Sequence, residues 1–348
     1  MKNEKAKKAA AAVCVLSAVF VVAFLVMADI FHKPLRETDK YSVAMGTVIT
    51  QRLFSRSEAA KECDDIDEII NTLENKISWR KEGSAIYSLN KNNTVGCDEE
   101  LSEIFSRSKA VYDASSGAFD ITVGSLTTLW NIGEETARVP DKTEIASALS
   151  FVDDSKINVS DGVVTSAKGQ LVDLGAVGKG LACDKVREYL EETDISGAVI
   201  SVGGSVLLYG ENEETETWSV GVRDPRGESD EYMGVLSVSD CCVSTSGDYE
   251  RVLLKDGKTY HHILDPKTGY PSDSGLISVT VVSSSGFMSD ALSTACFVLG
   301  REKGERLLSI FDAEGVFIDS EKNVFVTPGL KASFTLTSDK YVLSGEAQ

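Results

Sequence analysis

The sequence is poor in several residues and patterns that would announce a function. It has only three histidines and six prolines, and no C-x-x-C pair. With so little proline and an aperiodic scatter of 28 glycines, collagen-like and proline-rich architectures are excluded. There is no H-E-x-x-H, no G-x-S-x-G elbow and no G-x-G-x-x-G after a strand. Gly175-Ala176-Val177-Gly178-Lys179-Gly180 is not a phosphate-binding P-loop. Asp173 stands where the first glycine should be, and Gly180 replaces the Ser or Thr. Seven cysteines are an odd number, and the adjacent Cys241 and Cys242 would be strained if bridged to each other. A disulfide framework is therefore not expected, and most of the cysteines read as small buried apolar residues. Positive charge is also short: 35 Lys+Arg against 54 Asp+Glu leave a net −19. An extended nucleic-acid surface needs clustered basic residues and is excluded. What is present is ordinary for a folded protein: 348 residues, 42% hydrophobic and 26% charged.

The N-terminus carries the one long apolar run. Lys2, Lys5, Lys7 and Lys8 precede an uncharged stretch from Ala9 to Ala28. At ~1.5 Å per residue such a stretch crosses ~30 Å of hydrocarbon. The basic flank predicts a single membrane anchor with the remainder delivered outside the cytoplasm. A cleaved signal peptide, ending at Val26-Met27-Ala28, is the alternative. The expected organisation is an anchor or signal segment over 1–28, a polar linker over 29–40 and one domain over 41–348.

Within that domain, residues 41–54 alternate like a strand. Ala59, Cys63, Ile66, Ile69, Ile70, Leu73 and Ile77 recur at helical spacing. Asp98 is placed to cap a helix ending near Gly117. Further helices are expected over 143–149, 179–190, 288–299 and 302–311, with a hairpin over 162–174. Strands are expected over 198–202, 218–282 and 316–336. Helices and strands intermix without the regular alternation of a doubly wound sheet, which predicts an α+β fold with largely antiparallel sheets.

Four polar segments carry candidate chemistry. Asp173 stands at a strand end and Lys179 at a helix start, where N–H groups and a lysine favour phosphate; a structural turn is the plainer reading. Ser201-Val202-Gly203-Gly204 permits a close backbone approach, or simply a tight turn. Adjacent His261 and His262 point to opposite faces if they lie in a strand, so only one serves a given site. His262, next to the Asp265-Pro266 turn, is the candidate base, with a structural histidine as the alternative. Asp290 and Thr294 share a helix face and offer oxygen ligands to Mg²⁺, unless Asp290 merely caps its helix.

In their order, these segments resemble the FAD:protein FMN transferases, the ApbE-type flavin transferases. The resemblance rests on MGT at Met45, Ser84 to Asn90, FDITVGSLTTLW, VDLGAVGKG, SVGGSVLLYG, STSGDYER, HHILDPKTGYP and SDALSTACFVLG. It spans residues 41–311. It implies an enzyme that cuts the pyrophosphate of FAD, moves FMN onto a Thr or Ser hydroxyl of an acceptor protein and releases AMP, using Mg²⁺. By motif, Met45, Trp79, Ala118, Phe119, Asp120, Asp173, Lys179 and His262 would line the FAD site. Asp290, Thr294 and the carbonyl of Ala176 would hold the metal, and His262 would be the base, with Asp265 to orient or assist it. The family usually has Tyr at the Trp79 position; tryptophan keeps a ring for stacking and has no hydroxyl to donate. Family members typically have Gly at the Ala176 position or Ala at the Gly178 position, an exchange that a backbone ligand tolerates. A hydrolase giving FMN and AMP would need the same ligands. A non-catalytic flavin carrier would need no base, which His262 argues against.

Overall fold

The computed structural model describes residues 34–344, apart from 211, 213, 214 and 229, together with residue 20. The run read as a membrane anchor lies outside the described residues. Among those described, no helix is long and apolar enough to cross a membrane.

Nine strands form the main sheet. They are β1 (Arg36–Ala44), β2 (Thr47–Ser55), β6 (Gly197–Val202), β7 (Ser205–Gly210), β10 (Cys241–Gly247), β13 (Leu276–Ser283), β14 (Glu314–Asp319), β15 (Asn323–Val326) and β17 (Val342–Leu343), in that spatial order. Every pairing is antiparallel except β15 with β17. The expected α+β class with largely antiparallel sheets is thus found. A three-stranded sheet, β16 (Phe334–Leu336), β9 (Tyr232–Val238) and β8 (Trp218–Arg223), covers part of one face. Period-two alternation separates two cores. Leu207 and Phe317 face the helices, while their neighbours Leu208, Val316 and Ile318 face the small sheet.

The helical layer contains α1 (Ala60–Ile77), α2 (Ala85–Asn92), α3 (Glu99–Ala114), α6 (Gly178–Leu190), α7 (Gly286–Leu299) and α8 (Arg301–Ile310). In α1 the expected stripe of Cys63, Ile66, Ile70, Leu73 and Ile77 is buried. Asp98 caps α3 by accepting the Leu101 N–H, as its position predicted. A satellite core joins α4 (Gly124–Trp130) and α5 (Lys142–Leu149) through Leu126, Trp130, Ile145 and Leu264. Trp130 Nε1 donates to the Gly269 carbonyl at 2.9 Å, tying α4 to the turn after the histidines. That turn is reached from the hairpin of β11 (Val252–Lys255) and β12 (Lys258–His261).

Three expectations are corrected. The linker ends earlier than residue 40, because β1 begins at Arg36; the strand expected over 41–54 is a hairpin turning at Met45 and Gly46. Alternation alone does not reveal a turn when both arms keep the same pattern. The hairpin expected over 162–174 instead turns at Asp161 and Gly162, between β4 (Asn158–Ser160) and β5 (Val163–Thr165). Helix α2 was not expected; Ser84 starts it by accepting the Tyr87 N–H.

Candidate active site

The site is organised by the crossing of α6 and α7. A Cβ on Gly180 would lie 1.9 Å from the Gly286 carbonyl oxygen, and one on Gly286 would lie 2.2 Å from that of Gly180. Only two glycines let the helices approach so closely. The approach brings the first turn of α6 over Asp290 in α7. The Gly180 N–H donates to Asp290 Oδ2 at 3.0 Å, and Lys179 Nζ lies 3.4 Å from Oδ1. Asp290 is 4% exposed, and burial raises its pKa. Lys179 and the Gly180 N–H oppose that rise by favouring the charged form.

Asp290 does not cap its own helix. Ser285 starts α7, and Asp184 accepts the N–H groups of Gly286 and Phe287. Asp290 instead serves the positive N-terminal end of α6. Because the Gly180 N–H is given to Asp290, it is not spent on Ala176, four residues back. Among the described residues no hydrogen bond to the Ala176 carbonyl is made. One turn beyond Asp290, Thr294 Oγ1 lies 3.2 Å from Ser246 Oγ, which also meets Ser293 Oγ at 2.8 Å. These hydroxyls seat α7 on β10. Carboxylate, hydroxyl and carbonyl oxygens are hard donors suited to Mg²⁺. Among the described residues there is no cluster of three or more His, Cys, Asp or Glu that would hold a metal by side chains alone.

His262 lies just past β12. Its N–H donates to the Arg251 carbonyl at 3.2 Å, and its Nδ1 is buried without a partner. Burial first, then the charges of Arg251 and Lys179, lower its pKa to about 4. The imidazole is therefore neutral at pH 7 and able to accept a proton. His261 does not simply face away: its Nε2 lies 2.9 Å from the Ser272 carbonyl oxygen, and its ring meets Phe297 edge-on at 5.5 Å. Among the described residues Asp265 and His262 share no hydrogen bond; the Asp265 carboxylate accepts the Lys267 N–H at 2.9 Å and shapes the turn.

Two sides of the site are set by loops. Met45 holds a left-handed turn at φ 52°, and its Cε lies 3.3 Å from where a Cβ on Gly178 would sit. Trp79 lies under the Arg80 guanidinium at 4.2 Å, and Arg80 also reaches Glu134 at 3.5 Å. Asp173 accepts the Gly175 N–H at 2.8 Å. Burial raises the Asp173 pKa, against the pull of the Gly175 N–H, Thr127, Arg80 and Trp79. Met45, Trp79, Asp173, Ala176, Lys179, His262, Asp290 and Thr294 thus belong to one neighbourhood. The segment of Ala118, Phe119 and Asp120 adjoins this neighbourhood through the backbone, since the Asp173 N–H donates to the Ile121 carbonyl at 2.7 Å. Ala118 and Phe119 are buried. The Asp120 carboxylate is taken up by the Thr122 N–H at 2.7 Å, the Thr122 hydroxyl at 2.6 Å and the Asp154 N–H at 3.1 Å. A separate groove of about 380 Å³, lined by Ser55, Lys61, Tyr189 and Thr193, contains none of these residues, so volume alone does not mark the site.

Sequence reasoning did not single out Arg80, Arg251, Asp184 or the Gly180–Gly286 contact. Arg251 lies inside STSGDYER, which was the available signal for it; the others depend on neighbours far along the chain.

An antiparallel-rich α+β domain with this carboxylate–lysine–histidine arrangement defines a class, and similarity to known proteins gives it a name. The ApbE family model matches residues 45–317, and the chain belongs to the ApbE family. It is 33% identical over 331 residues to the FAD:protein FMN transferase of Treponema pallidum (strain Nichols), covering 88% of this chain and 91% of that protein. It is 30% identical over 307 residues to the FAD:protein FMN transferase of Klebsiella pneumoniae (strain 342), covering 86% and 95%. In structure it is similar to the ApbE protein of Thermotoga maritima, with a TM-score of 0.77 and 31% identity over 86% of this chain and 99% of that one.

Proposed function

We propose that this chain transfers FMN from FAD to a Thr or Ser hydroxyl of an acceptor protein and releases AMP, with Mg²⁺ bound. The observation that carries the reading is a neutral His262 within the field of Lys179, which itself pairs with the buried Asp290. Asp290, Thr294 and the Ala176 carbonyl would hold Mg²⁺, which when bound neutralises phosphate charge. Lys179 and the N-terminal turn of α6 attract the diphosphate. Trp79 offers a ring for stacking. His262 takes the proton of the acceptor hydroxyl as its oxygen bonds to the FMN phosphorus. The bond from that phosphorus to the AMP oxygen breaks, and AMP leaves with the electron pair. The anionic diphosphate offsets the cations that depress His262, so its basicity rises when substrate is bound.

The test is incubation with FAD, Mg²⁺ and an acceptor domain, followed by mass spectrometry. A covalent FMN adduct with equimolar AMP is expected; free FMN and AMP without an adduct would make the chain a hydrolase. His262→Ala should keep FAD affinity and lower transfer by roughly 10²–10⁴-fold.

The reading includes place. The lysines before residue 9 and the uncharged run to Ala28 support a membrane anchor with the catalytic domain outside the cytoplasm. Protease added to intact cells should digest the domain; full protection beside a cleaved external control would refute the orientation.

A further inference from the structure

Arg251 combines three features that the proposed function leaves unused. Among the described residues its side chain makes no hydrogen bond or ion pair, in a protein of net charge −19. The other cations at the site are engaged: Lys179 with Asp290, and Arg80 with Glu134 and the Trp79 ring. The Arg251 stem is nonetheless held in place. Gly133, at φ +95°, leaves room for it, since a Cβ there would lie 3.1 Å from Arg251 Cδ and 3.6 Å from its Cβ. At the other end of the side chain, Nη2 lies 3.9 Å from where a Cβ on Gly46 would sit, beside the Met45 turn. The backbone of Arg251, one residue before β11, accepts the His262 N–H at 3.2 Å, so the two residues face each other across the end of the hairpin. An exposed arginine in an acidic chain ordinarily finds a carboxylate. This one is steadied by two glycine-bearing turns and left without one.

We propose that Arg251 is a substrate-binding residue whose guanidinium forks onto phosphoryl oxygens of the FAD diphosphate, between the Met45 turn and His262. The assignment rests on the proposed function. Arginine suits the role because its planar fork matches two phosphate oxygens and it stays charged at any working pH. Its separation from the Lys179–Asp290 pair leaves that pair undisturbed while a second positive group faces the substrate. Binding there also holds the phosphorus near the imidazole, so the residue contributes to positioning as well as to affinity.

The test measures binding of FAD and of riboflavin, which has no phosphate, to the purified chain and to Arg251→Gln. A lost charged hydrogen bond predicts FAD binding weaker by roughly tenfold to a hundredfold with riboflavin binding unchanged. Arg251→Lys keeps the charge and loses the fork, so it should fall between the two, with a steeper salt dependence than Arg251→Gln. It also serves as the test if Arg251→Gln does not fold. FAD binding by Arg251→Gln within twofold of wild type overturns the assignment, as does equal weakening of FAD and riboflavin, which would mark a structural role. Absence of FAD binding by the wild-type chain overturns the proposed function itself, and this assignment with it.

Discussion

Two buried carboxylates, Asp290 and Asp120, have different partners. Burial raises the pKa of both. Asp290 is met by a lysine ammonium and a helix N-terminus, so its charge has positive partners. Asp120 is met by two N–H groups, one hydroxyl and a second buried carboxylate, Asp154, whose pKa is pushed up to about 7 by burial and by Asp120 itself. The first arrangement balances an anion with positive neighbours. The second spends its acceptors on folding a loop. Burial and residue type are the same; what differs is the sign of the neighbours.

The comparison is broken most directly at Asp290. Asp290→Asn keeps the shape and removes the charge, and FMN transfer should fall by roughly 10²–10³-fold while the melting temperature changes little. Transfer at the wild-type rate would put Asp290 in the same category as Asp120. The next effect is expected from Gly180→Ala. Its Cβ collides with the Gly286 carbonyl, so the helices must separate, costing about 3 kcal/mol in urea denaturation. Transfer should drop with it, because the Gly180 N–H is pulled from Asp290.

On the other side, Asp120→Ala leaves three buried donors without their acceptor and should cost about 2 kcal/mol. FAD affinity measured under stabilising conditions should hold; its loss would place Asp120 in the binding site. The last effect is electrostatic. The folded state holds the Asp154 proton more tightly than the unfolded chain, so stability is full at low pH. It is lost as pH rises from about 4 to about 7. Asp154→Asn should remove that fall and leave stability level from about pH 4 to about pH 8. A variant whose stability still declines over that range would assign the decline to another group.

Much of the local structure was legible because it depends on near neighbours. The stripe of α1 and the cap of Asp98 need residues within a turn or two. The site motifs were readable for a related reason: Asp173 and Lys179, or Asp290 and Thr294, are pairs within short segments. The hairpin of β1 and β2 was read as one strand because Met45 gives no turn signal and adopts φ 52° only in its folded surroundings. Strand alternation set His261 on the face opposite His262 but could not name Ser272 and Phe297, which meet its ring.

The sequence by itself determined most of the helices, the class of fold and the chemistry available at the site, because periodicity, capping and residue type act over a few residues. Tertiary structure alone decided which groups meet. Gly180 and Gly286 are anonymous glycines until their helices cross, and Asp184 reaches the N–H groups of Gly286 and Phe287 across more than 100 residues of chain. Likewise Asp290 and Asp120 are the same residue type in sequence. Their difference lies in which charges and dipoles the folded chain brings within a few ångströms, where Coulomb and hydrogen-bond energies are decided.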